Sequence, residues 1–106
     1  MDVRSFKLST GEELVAQFVS ANGVNGAVTG YVIKTPLVVH MMRTPEGPSL
    51  AFGQWSMVQK QDVEITLFAH ALMSEPVELL GEVADSYIQQ VTGLVLPPSE
   101  KKILLG

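Results

Sequence analysis

Phe6 and Leu8, then Leu14, Ala16 and Phe18, put every second side chain on a common face across a polar break at Ser9-Thr10-Gly11-Glu12. Period two on both arms is what a half-buried antiparallel strand pair requires. The break supplies small hydrogen-bonding residues and a glycine free to take positive φ, the chemistry of a short hairpin loop. Residues 6–19 are therefore a β-hairpin, and a chain that begins this way is committed to antiparallel, mainly β architecture.

The rest of the chain continues in that period. Residues 3–8 form the first strand and residues 13–21 the second, which Asn22-Gly23-Val24-Asn25-Gly26 ends with a strong turn signal. Residues 27–43 then make one long, bent strand, with Val28 and Val32 on one face and Tyr31 and Ile33 near the other. Gly30 marks a bend or a close backbone approach, and Pro36 interrupts the hydrogen bonding. Thr44-Pro45-Glu46-Gly47-Pro48 is a turn, residues 49–55 return from it, residues 56–62 are polar and loop-like, and Val63, Ile65 and Leu67 alternate in a further short strand.

From Pro76 the period becomes helical. Val77, Leu80, Ala84, Tyr87 and Val91 form an apolar stripe, Ser74 and Pro76 are placed to start a helix, and Gly93 is placed to stop it. Residues 1–93 thus make one domain, a barrel with a C-terminal helix. Residues 94–106 make an apolar, proline-broken tail that needs something to pack on.

Bulk properties restrict function more than they define it. A chain of 106 residues is large enough to bury a core without staples, and with no cysteine it has neither disulfides nor thiolate zinc sites. A net charge of −4 and a pI near 5.0 leave no excess of cations for tight, non-specific binding to phosphate backbones. The start of the chain does not have the form of a basic-then-apolar leader, and no apolar run approaches bilayer length, so a soluble cytoplasmic protein without membrane contact is expected.

Short strands with a long bent central one, closed by a helix, describe a small barrel of the SH3 or OB type. The order of motifs is narrower. Thr10-Gly11-Glu12-Glu13, Leu14-Val15-Ala16, the Tyr31, Ile33, Lys34 and Pro36 element, Trp55, Asp62-Val63-Glu64-Ile65 and a Pro76 helix carrying Tyr87 together resemble the Sm-like proteins of tailed phages, including marine ones. The resemblance covers residues 3 to about 91. It implies a strongly bent five-stranded barrel, a homo-oligomeric ring of five to seven subunits, single-stranded RNA as a possible partner and, for a phage protein, the host cytoplasm. A structural or adaptor protein that binds no nucleic acid is the alternative. The family's RNA-binding motifs are altered here: Ala16 replaces a glycine, Asn22 an aspartate and Gly26 an asparagine, and residues 67–73 lack the Arg-Gly pair.

Candidate sites follow from residue chemistry. His40 and His70 are the only histidines and have no second ligand at metal spacing, so core or edge histidines are expected and no metal or other cofactor. Glu78, Glu82 and Asp85 form a solvated helix face. No nucleophile is set in a catalytic arrangement, so no enzyme is expected. For RNA, Asn22 and Asn25 could read base edges, Tyr31 could stack, and Lys34 and Arg43 could reach phosphate. Trp55 and the Met41-Met42 pair are core or interface anchors. Two strand edges lack deterrent charges, one carrying Leu50, Phe52 and Gln54 and the other Val63, Ile65 and Leu67. Pairing them between copies would build the ring.

Overall fold

The computed structural model describes residues 1–56, 63–79 and 81–93. All of the expected loop at 56–62 except Ser56, Leu80 of the helical stripe and the tail at 94–106 lie outside the described residues. Among the described residues six strands, β1 (Val3–Lys7), β2 (Glu13–Val24), β3 (Ala27–Thr44), β4 (Gly47–Gln54), β5 (Glu64–Phe68) and β6 (Val77–Glu78), precede one helix, α1 (Gly81–Thr92). A single 3-10 turn at Ala69–Ala71 follows β5.

All strand pairs are antiparallel, in the order β4-β3-β2-β1-β6, with β5 also on β3. The 18-residue β3 organises the sheet. Along one edge it pairs with β2. Along the other it pairs first with β5, through residues 30–34, and then with β4, through residues 37–44. The expected mainly β class with a C-terminal helix is present, but among the described residues the sheet is six-stranded and does not close into a barrel.

The extra strand corrects the expected helix start. Val77 and Glu78 do not begin a helix; they pair with Ser5 and Arg4 on the outer edge of β1, and the Met73 amide donates to the Lys7 carbonyl at 2.8 Å. The edge of β1 offers these residues main-chain partners that one turn of exposed helix would not, and that outweighs the capping signal at Ser74 and Pro76. The stop is as expected: Gly93 takes φ +73 and its amide donates to the Gln89 carbonyl at 2.9 Å.

One irregularity in β3 gives the sheet two cores. Val15 pairs with Leu37, but Gln17 pairs with Lys34, so β3 holds one residue more than β2 over the interval. This bulge falls at Thr35-Pro36, where Thr35 takes φ +50. Ile33 and Leu37 are four residues apart and would share a face in a regular strand; the extra residue reverses the alternation between them. Ile33 accordingly packs with Phe6, Leu8, Leu14, Ala16 and Leu67 on one face, while Leu37 packs with Val3, Val15 and Tyr87 on the other. Helix α1 covers this second face, with Ala84, Ile88 and Val91 beside Tyr87.

Tyr87 fastens the helix to the bulge. Its side chain is fully buried, and its hydroxyl donates to the Thr35 carbonyl at 2.7 Å, with the Lys34 carbonyl at 3.3 Å. Burial pushes its pKa up to about 12, against smaller opposing effects of hydrogen bonds with the Gln17 backbone and Thr35. Gly30 is the close approach expected from the sequence: a Cβ there would lie 3.0 Å from the Thr66 methyl and 3.1 Å from the Leu67 carbonyl oxygen of β5.

Candidate interaction site

The five residues considered for RNA do not converge. Asn22 is an exposed residue opposite Gly30, and Asn25, at φ +52, shapes the tip of the β2–β3 hairpin with Gly26. Tyr31 is half-buried against the first core, its ring centroid 6.3 Å from those of Phe6 and Phe18. Lys34 stands opposite Glu64 in the β3–β5 pairing. Arg43 lies near the other end of β3, opposite Pro48. The single long strand expected over residues 27–43 already set Tyr31 and Arg43 far apart; what the sequence did not show is that Tyr31 turns toward the first core and that Lys34 stands opposite Glu64.

The six edge residues divide differently. Leu67 is buried in the first core and Ile65 packs against it, while Phe52 packs against the second; Leu50 is half-buried, and Gln54 and Val63 are exposed. Among the described residues no strand pairs with the outer edge of β4 or β5. The outer edge of β4 carries two local features. Pro48 has no amide to offer, and Gln90 of α1 donates to the Phe52 carbonyl at 3.1 Å.

The histidines lie on the surface, His70 with its ring stacked on exposed Phe68 at 5.8 Å and His40 beside Gly53. Trp55 packs against the first core, whereas Met41 and Met42 are exposed. Among the described residues no three His, Asp or Glu side chains are placed to hold a metal ion. No described helix is long and apolar enough to cross a membrane.

Among the described residues there is a recess that the sequence did not signal. It lies where β2 and β3 part. β2 pairs with β3 only as far as Leu14 opposite Val38; beyond that point the chain folds back through the Ser9–Glu12 turn, and among the described residues β3 runs on with β4 alone. Two hollows flank the fork. One of about 520 Å³ is lined by Glu12, Val38, Met41 and Trp55, and one of about 390 Å³ by Ser5, Lys7, Val15 and Val83. Glu13, Val39 and Leu50 line both. Val38 and Val39 point to opposite faces of β3, so the larger hollow wraps the strand's edge. The Ser5 hydroxyl donates to Glu13 Oε2 at 2.6 Å and Thr10 Oγ1 to Glu12 Oε1 at 3.2 Å, which holds both carboxylates at the rim.

Compared with known proteins, the chain matches no protein-family model and no curated sequence at a significant level.

Proposed function

We propose that the chain is an assembly module of the Sm-like type, whose copies pair edge to edge into a closed ring of five to seven subunits. The observation that carries this is the pair of strand edges, β4 and β5, on the same side of β3, with which no described strand pairs, although on β4 Gln90 takes the Phe52 carbonyl and Pro48 offers no amide. Unpaired main-chain donors and acceptors are templates for another strand, and these edges carry little charge to repel one. Joining β4 of one copy to β5 of the next is a heterologous contact, which either closes or grows without limit. A single-stranded RNA partner is less supported, because Tyr31 is half-buried against the first core and Lys34 faces Glu64.

Light scattering at micromolar concentration tests the reading. A mass of five to seven subunits is expected, and a proline at exposed Gln54, on the outer edge of β4, should reduce it without lowering thermal stability by more than a few degrees. A monomeric mass ends the proposal. Salt-sensitive binding of oligo-U by that monomer would put RNA in its place, and a monomer that binds no oligo-U would leave an adaptor role.

A further inference from the structure

We propose that the fork between β2 and β3 is a binding slot for an extended peptide, basic at one end and apolar beside it, which adds as a strand to the free edge of β3. The argument begins with register. Thr44 and Gly47 close the β3–β4 hairpin, so Thr44, Met42, His40 and Val38 direct their main-chain groups to β4. The alternate residues point the other way. Leu37 meets Val15 of β2 there, but beyond Leu14–Val38 no described strand accompanies β3 on that edge, so among the described residues the amides and carbonyls of Met41 and Arg43 have no partner strand. Four main-chain groups in an extended segment recognise one thing well, the backbone of another extended segment.

The side chains around the fork define what that segment carries. At its inner end stand Glu12 and Glu13, both lining the larger hollow. Next along β3 come Met41, 69% exposed, and half-buried Leu50 opposite it. A bound strand thus meets two carboxylates and then an apolar pair, so a Lys or Arg pair adjoining two or three aliphatic residues is complementary in charge and hydrophobicity. The exposure of Met41 has no explanation in either core and is relieved by such an occupant. The sequence itself contains one stretch of that order, Lys101-Lys102-Ile103-Leu104-Leu105, which makes a peptide of residues 100–106 the natural probe. The slot lies on the opposite edge of β3 from β4 and β5, so it stands or falls independently of the ring.

The test is fluorescence anisotropy of the labelled 100–106 peptide against the full chain, together with hydrogen exchange at the Met41 and Arg43 amides. Binding is expected to weaken at least tenfold in Glu12→Lys and again in Met41→Pro, which removes an outward amide without touching the β4 pairing, and when both lysines of the peptide become aspartate. Both sites are exposed, so thermal unfolding should barely move. If the amides are already protected in the free chain and Glu12→Lys releases them, the slot is occupied beforehand and the proposal holds. Rapid exchange at both amides with no peptide binding at millimolar concentration overturns it, as does binding indifferent to all three changes.

Discussion

Leu14-Val15-Ala16 and residues 19–29 belong to the same β2–β3 hairpin, yet the first three residues are fully buried and every one of the others is exposed. The difference is the number of layers. Around Leu14 the hairpin is sandwiched, with the first core on one face and α1 on the other, and β1 holds its edge. Beyond Phe18, β1 ends, and main-chain bonds, the Thr29 hydroxyl donating to the Asn22 carbonyl at 3.5 Å and the Asn25-Gly26 turn hold the ribbon. A two-stranded ribbon in water is marginal alone, so this arm borrows its order from the sandwiched half. The same sequence period therefore produces a core in one place and a projection in the other.

Substitutions should separate the two halves sharply. The largest effect is expected from Phe6→Ala, which opens a cavity in the first core at a fully buried ring; urea unfolding should show a loss of about 3–5 kcal/mol. A loss under 1 kcal/mol would mean that the sandwiched half is not the stable one. Tyr87→Phe comes next. It leaves the Thr35 carbonyl without its hydroxyl partner and should cost about 1–2 kcal/mol in the same measurement.

Tyr87 also gives the core half a signature in pH. Its folded-state pKa, about 12, lies above the ordinary value of 10.0, so the neutral phenol is the form that folding favours. Its contribution is complete below pH 10 and is lost as pH rises from 10 towards 12. Wild type should lose stability more steeply than Tyr87→Phe across that window, and parallel curves would contradict the burial of the phenol.

The smallest effect belongs to the arm. Gly26→Ala forces a side chain onto φ +81 at the hairpin tip, where nothing lies within 4 Å of the new Cβ, so the strain is local, about 1 kcal/mol. Hydrogen exchange should accelerate at arm amides while those of Leu14 and Ala16 stay slow. Equal acceleration in both places would show that the halves open together and would remove the comparison.

The sequence carried the parts of this architecture that depend on local period and turn chemistry. The first hairpin, the long strand at 27–43, the close approach at Gly30 and the stop at Gly93 were all visible in residue type and spacing, because each is decided within a few residues. The start of α1 was not, since Val77 and Glu78 choose between helix and strand according to whether β1 has a free edge, a fact settled some seventy residues away. The fork was hidden for a related reason. Where β2 leaves β3 depends on how many residues each strand contributes across the bulge at Thr35-Pro36, and alternation of Leu37, Val39 and Met41 looks the same whether or not a neighbour lies alongside. Aromatic character alone placed Tyr31 among the binding candidates; its orientation followed from pairing with Ala21 and Leu67, which the sequence did not disclose.

The bulge also limits how this chain can change by descent. Because the extra residue at Thr35-Pro36 decides which layer Leu37 and Val39 belong to, a single deletion there would exchange their sides and present the helix with the backs of the residues it now covers. Length changes near the bulge are therefore tolerable in twos, which preserve sidedness, and damaging in ones. The arm at 19–29 has no layer to lose and is free of that parity. Relatives of this chain should differ in the reach of the arm by any number of residues, while keeping the interval from Ile33 to Leu37 fixed in length.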